Sequence, residues 1–385
     1  MSGFAVKISK MNDFDLLDLY TDYLVSAFGL VTSTGLSNLL DNVVSHDRIS
    51  HMLSRREFTQ QDYWLAIKAV VRGVESINGI LKIDDTIEEK PHSTENDIIC
   101  WHYDHTTGHT IKGINIINFV YQPKPSAVCG LSLPVAFEII EKTEQYLDLK
   151  SGKVKRRSPR SKNEIVRTRL RILNQLNKLK FQTILWDSWF SSDENFVFVE
   201  KELKKTFIGA IKSNRKVALT QTDKLNGKFK KVSELEWHKA QTRIVYLPGL
   251  DFPLLMAKQV FTNKDHSTGE LFLVSNDQNL TAFELFDTYG ERWGIEVFHR
   301  SLKQNVGLEK SPTKYEVTQK NHIFAAMLAW IKLERLSLIH QSTHDGFKSK
   351  LYVKALRAAF DELQNLKQTI KKISKPQKKL RLKAA

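Results

Sequence analysis

Residues 181–187 read FQTILWD, a compact apolar run that ends on a carboxylate, Asp187. A run this short, with β-branched and aromatic side chains, reads as a strand rather than a helix. A helical stretch follows over 193–205, and a second strand-like run, FIGAIK, over 207–212. Strand, helix and strand in that order define an α/β fold built on a central sheet. Upstream, Ile80, Leu81, Lys82 and Ile83 make a short strand that ends in Asp84-Asp85-Thr86. Residues 98–103 and the β-branched run 111–121 (IKGINIINFVY) are the next strands, set apart by turn-rich stretches over 91–97 and 106–109. The spacing predicts a strand followed by an antiparallel meander.

The flanks read as helical. Residues 1–76 form a helical N-terminal region in which Leu16, Leu17, Leu19, Tyr20, Tyr23 and Leu24 recur at roughly helical spacing. Two short helices follow, over 33–40 and 46–53, the second capped by Ser45 and trailed by Arg55 and Arg56. That pair fits a DNA-binding helix-turn-helix or an ordinary helical hairpin with a solvated basic face. Core segments are expected over 77–212 and 277–340, the latter holding a Glu-bearing helix. Between them, residues 213–276 alternate strand-like runs with Gly, Asn and Asp turns, a β-rich insertion. Residues 341–385 are a helical C-terminal region. Over 367–385 the chain carries eight Lys/Arg and no acid, so its end is expected to be a basic tail.

Charge narrows the partner. The sequence holds 58 Lys and Arg against 43 Asp and Glu, a net charge of +15. Such a balance favours a polyanion, nucleic acid first and an anionic membrane surface second. No stretch of about 18 apolar residues occurs, so nothing is expected to span a bilayer. No amphipathic apolar face supports surface attachment either. Two cysteines, Cys100 and Cys129, make neither a disulfide framework nor a CxxC site. With no secretory pattern at the N-terminus, a reducing, cytoplasmic setting is expected. Residues 150–171 contain ten basic residues, Arg156 and Arg157 among them, and one acid, Glu164. The first half reads as a mobile loop and the second as a helix starting at Ser161. The run fits a solvated surface or a phosphate-contacting one, and its place beside the core favours phosphate.

Three carboxylates stand out by position: Asp85 and Asp187 at strand ends, and Glu296 inside a helix. Carboxylates converging from separate elements are what hard divalent cations require. Asp at a strand end is also ordinary turn chemistry, and helical Glu is ordinarily a surface residue. The helix over 289–303 adds a pattern. Tyr289, Arg292, Glu296 and Lys303 are spaced by 3, 4 and 7 residues, steps that keep to one stripe of an α-helix. Arg and Lys on the stripe of a cation-binding Glu would meet successive phosphates. The alternative is a solvated amphipathic helix with Ile295, Phe298 and Leu302 buried.

The Y-x2-R-x3-E-x6-K arrangement resembles the signature of DDE transposases of the IS4 superfamily, enzymes of bacterial insertion sequences. Asp85-Thr86 resembles the first acidic motif of that family and residues 185–190 (LWDSWF) the second, in the order the family demands. The similarity covers roughly residues 78–335. It implies an RNase H-like catalytic core, with Asp85, Asp187 and Glu296 as ligands of two Mg²⁺ ions, or Mn²⁺. It also implies Tyr289, Arg292 and Lys303 at phosphates near the cleaved end. The expected substrates are double-stranded DNA, namely the terminal inverted repeats of a transposon and its target. The expected assembly is a homodimer in the synaptic complex, and a hairpin at the transposon end is a route that similar enzymes take. Asp84 competes with Asp85 as first ligand. Alternation points the two to opposite faces, and Asp85 is chosen because Thr86 follows it. Two other readings of the chain are an RNase H-like nuclease without strand transfer and a catalytically silent DNA-binding derivative.

Some relatives hold a base against a Trp in the insertion. Here Leu271-Phe272 occupies that neighbourhood and Trp237 lies further back, and both aromatics read better as core residues. Trp293 and Trp330 read as helix-packing residues. His102, His105 and His109 lie close together but complete no tetrahedral zinc set, so turn and strand-surface histidines are expected.

Overall fold

Strand β1 (Ile80–Glu89) and strand β3 (His109–Gln122) pair antiparallel along the whole length of β1, from Ile80 with Gln122 to Glu89 with Gly113. The computed structural model describes residues 11–104, 107–124, 131–149, 151–238, 241–262 and 265–373. His105, Cys129 and the far end of the basic tail, over 374–385, lie outside them. The first core strand is therefore ten residues long, and Asp84-Asp85 sits within it rather than at its end. The polar Asp-Asp-Thr sequence does not stop the strand because β3 supplies a continuous ladder of backbone partners.

The other edge of β3 is shared by β2 (Cys100–Asp104), along 109–113, and β4 (Leu133–Ile139), along 116–121. A hairpin follows, β5 (Glu144–Asp148) with β6 (Lys153–Arg157). On the far side of β1, β7 (Thr183–Trp186) and β8 (Thr206–Ile211) run parallel to it. The order β4-β3-β1-β7-β8, with helices joining β6 to β7 and β7 to β8, is a mixed α/β sheet consistent with an RNase H-like fold. Among the described residues, 213–276 contain five strands. A two-stranded ribbon, β9 (Lys216–Val217) with β10 (Lys230–Lys231), stands apart. In contrast, β11 (Thr242–Val245), β12 (Leu254–Thr262) and β13 (Thr268–Ser275) extend the central sheet, because β13 pairs with β8.

The basic stretch departs from the expected loop. Its first half is strand β6, closed by a turn at Gly152, whose φ of +64° suits glycine. Cross-strand pairing holds it: Arg157 donates to Glu144 at 2.9 Å and stacks on the Tyr146 ring. The acidic partner strand precedes the basic run in sequence, so the run by itself looked unpartnered.

The described residues open with four helices: α1 (Asp13–Ser26), α2 (Ser33–Leu39), α3 (His46–Ser54) and α4 (Gln60–Arg72). Between the sheet strands lie α5 (Lys162–Arg171), α6 (Asp193–Val197) and α7 (Gln221–Leu225). The chain closes with α8 (Ala282–Gly290), α9 (Trp293–Asn305), α10 (Glu316–Ile339) and α11 (His344–Ile373). Helix α10 is buried around most of its circumference and forms the centre of the helical half. Asn321 of α10 ties in the N-terminal region by donating to the carbonyls of Leu53 and Arg56 and accepting from the Phe58 N–H at 2.8 Å. One apolar core consequently runs from Leu16 through the sheet to Leu333. Among the described residues no helix is long and apolar enough to cross a membrane.

The stretch over 289–303 is not one helix. It breaks between α8 and α9, where Arg292 N–H bonds Tyr289 O and Ile295 N–H bonds Arg292 O, both three residues back. Gly290 and Gly294 flank the break, each weakening the α-helix. Gly294 also makes room for Lys82, whose ammonium lies where a Cβ would project.

Candidate active site

The two faces of the sheet divide the carboxylates. Ile80, Leu185 and Ile208 pack on one face against Ala282, Leu285 and Tyr289 of α8. Leu81, Ile83, Ile184 and Trp186 join the main core on the other. Alternation along β1 assigns Asp84 to the α8 side and Asp85 to the opposite one. Asp187 immediately follows Trp186 at the end of β7, and the same alternation gives it Asp84's side. The last register pair of the two strands is Ile83 with Trp186, so Asp84 and Asp187 are the next residue on each.

Helix α9 brings the third carboxylate. Ligand atoms of Asp84, Glu296 and His299 all lie within 4.8 Å of one another. Arg292 sits among them, donating to Asp84 at 2.9 Å and lying 3.4 Å from Glu296. His299 is buried, and its Nε2 is 3.1 Å from the Asn118 amide, which fixes the ring. Burial, and after it the Asp187 charge, pushes the Asp84 carboxyl up to about 8 against the pull of Arg292. Burial likewise raises Asp187, against backbone N–H groups of Trp189 and Phe190 that hold its carboxylate. Crowded carboxylates whose ionisation is held back by one another are a site short of positive charge. Two carboxylate oxygens and an imidazole are donors suited to a divalent cation. The surrounding cleft, about 520 Å³, is lined by Asp84, Asp85, Asp187, Glu296, His299 and Arg292 among others.

The remaining predicted residues are placed as follows. Asp85 accepts from Lys162 of α5 at 2.8 Å and from Asn115 at 2.6 Å, so its carboxylate is neutralised from the α5 side of the cleft. Tyr289 is buried, its ring beneath the Arg292 guanidinium, and burial raises its phenol to about 12. Lys303 lines the cleft while donating to Ile87 O at 2.7 Å and pairing with Glu309 at 3.2 Å. Arg156 pairs with Asp97 and Arg157 with Glu144, both on the β5–β6 hairpin and away from the cleft lining. Phe272 is buried, with Trp237 packed against it. Trp330 packs on Phe298 as expected, but Trp293 is 68% exposed at the start of α9. His299 escaped the sequence reading, although its signal was there: Glu296-x-x-His299 places both side chains on one face of a helix.

An α/β sheet that sets Asp84 and Asp187 side by side on two neighbouring parallel strands, faced by a Glu and a His from one helix, gathers a donor set suited to a divalent cation. Residues 152–332, which include Asp187, the Tyr289–Lys303 pattern and Lys162, match the family model of the Transposase DDE domain. The chain is also similar to a probable transposase for insertion sequence element IS701 from Microchaete diplosiphon, 28% identical over 236 residues. That alignment takes in 59% of this chain and 58% of the relative's own length. Both findings bear out the resemblance to DDE transposases of an IS4-like group.

Proposed function

We propose that this chain is the transposase of an insertion sequence, cleaving DNA at the ends of the element and joining them to target DNA by cut-and-paste phosphoryl transfer. The observation that carries the reading is the meeting of Asp84, Glu296 and His299 within 4.8 Å, beside Asp187. We assign Asp84, Asp187 and Glu296 as the carboxylates that hold Mg²⁺ or Mn²⁺, with His299 as a further donor. Asp85, the residue singled out by its neighbour Thr86, is assigned to orient Lys162. Divalent ions bound by such a set activate an attacking oxygen and stabilise a leaving one in phosphodiester displacement. The protein's part is positioning. Arg292 offers a bidentate fork to a phosphate once a cation takes over Asp84 and Glu296. Lys303 and Lys162 both line the cleft and are assigned to the flanking backbone phosphates. Arg156 and Arg157 add charge at a distance. Tyr289, under Arg292, positions that guanidinium.

The partners proposed are the terminal inverted repeats, the target duplex and a second copy of the chain. A stripe on α11 supports the last: Val353, Leu356, Phe360 and Leu363 are each at least 44% exposed. Their spacing of 3, 4 and 3 is that of a helix seam. The helical pair α2–α3 is proposed to read DNA, and a hairpin end is proposed as the cleavage route.

The test is nicking of a supercoiled plasmid in Mg²⁺, wild type against Glu296→Gln. Nicking by the wild type alone supports the reading, and joined products separate a transposase from a simple nuclease. A wild type that binds DNA yet neither nicks nor joins it would instead be a silent derivative.

A further inference from the structure

Beside the carboxylate cleft lies a second one of opposite character. It has a volume of about 670 Å³, and Tyr103, Lys162 and Trp189 line both. Lys142, Arg160, Lys162, Lys212 and Arg215 line the second cleft, and no Asp or Glu does so among the described residues. Serine hydroxyls and the Asn163 and Asn214 amides supply its other polar surface. At the junction stands Trp189, two residues after Asp187 and 42% exposed. The Lys162 and Lys212 ammonium groups lie 5.6 and 5.8 Å from the ring centroid.

We propose that this cleft binds an unpaired DNA segment continuous with the strand held at the carboxylates, with a base stacked on Trp189 and its phosphates on Lys162, Lys212 and Arg160. The inference rests on the function proposed above and adds a binding subsite to it. The charge contrast sets the direction. The acidic cleft takes the phosphate that reacts, and the basic one takes the phosphates that follow. The volume is that of a pocket for a small ligand, which fits one or two nucleotides and not a duplex. An aromatic platform also needs an unpaired base, because bases in a duplex already stack on each other. Lys162 is held by Asp85 at 2.8 Å, whereas Lys212 can turn from the ring to a phosphate and leave the indole to a base, so phosphate binding and base stacking assist one another.

The test uses the full chain in EDTA, so that no cleavage occurs. Fluorescence anisotropy compares a blunt duplex with the same duplex carrying a short single-stranded extension, for wild type, Trp189→Ala, Trp189→Phe and Lys212→Ala. The expected result is that wild type prefers the extended duplex. Trp189→Ala should lose roughly tenfold on the extended duplex and change little on the blunt one. Trp189→Phe should keep most of the preference, and Lys212→Ala should weaken the extended complex and flatten its salt dependence by about one unit of slope. If Trp189→Ala does not fold by circular dichroism, the Lys212 variant and the Phe variant carry the comparison. Equal affinity of wild type for both duplexes, or equal losses on both, overturns the subsite and leaves the transposase reading standing. Absence of binding to either duplex overturns both.

Discussion

Asp84 and Asp187 occupy equivalent places on two neighbouring parallel strands, each one residue beyond the Ile83–Trp186 pair that ends their shared register. Adjacent strands lie about 4.8 Å apart, so the backbone itself brings the two carboxylates together before any side chain is chosen. The cost is visible in Asp84, whose carboxyl is pushed up to about 8 by burial and by Asp187. The pleat turns Asp85 the other way, where it accepts from Lys162 and Asn115.

Substitution separates the two aspartates. Asp84→Asn should lower Mg²⁺-dependent plasmid nicking by about a hundredfold or more, since loss of a ligand should exceed the 10- to 100-fold typical of outer partners. Asp85→Asn should cost about tenfold or less, through a loosened Lys162. Initial nicking rates of both variants decide it. The reverse order would return the first ligand position to Asp85.

His299 should matter for cation affinity more than for fold. It shares the helix face of Glu296 and is held by Asn118 at 3.1 Å. Replacement by Ala should weaken Mn²⁺ binding by about a hundredfold or more in isothermal titration, since loss of a donor should exceed the effect of an outer partner. Wild-type cation binding by His299→Ala would remove the imidazole from the donor set.

Much of this was legible in the sequence, and the failures have physical causes. The strands at 80–83, 111–121 and 181–186 announced themselves by apolar, β-branched composition. The continuation of β1 through Asp84-Asp85 did not, because it depends on β3 pairing thirty residues away. The basic stretch looked like a loop since its acidic partners, Glu144 and Asp97, lie outside it. Tyr289 and Glu296 kept their spacing, but the sequence did not reveal that two glycines would break the helix between them. That Asp84 rather than Asp85 lies beside Glu296 and His299 depends on which face of β1 meets α9, a tertiary fact that no local pattern contains.

Acid should destabilise the fold through buried neutral histidine. Tyr20 Oη donates to Nδ1 of His322 at 3.0 Å, and Nε2–H donates to the carbonyls of Gly307 and Leu308. Burial pushes this ring down to about 4, whereas an unfolded chain protonates it near 6.5. Between those values the unfolded state binds the extra proton, so stability falls as pH drops through that window. His322→Gln should be less stable at neutral pH, yet lose about 1.4 kcal/mol per pH unit less than wild type in the window. Melting curves taken from neutral pH down to about 4 measure the difference in slope. Parallel slopes for the two proteins would mean that His322 is not held neutral.

Helix α11 supplies the last prediction. Its start is fixed to α1, where Lys348 donates to Ala27 O at 2.8 Å, but Val353, Leu356, Phe360 and Leu363 face outward along its length. A helix of 30 residues is about 45 Å long at 1.5 Å per residue, far more than its anchored first turns require. Apolar side chains at 3, 4 and 3 spacing lose their water contact only if a second helix lies against them. The chain should therefore associate through α11, and Leu356→Glu with Leu363→Glu should convert a dimer to a monomer in multi-angle light scattering. Plasmid nicking, which needs one carboxylate cleft, should survive the double substitution, whereas joining of paired ends should fail. A monomeric wild type, or a variant that still dimerises, would assign association to another surface.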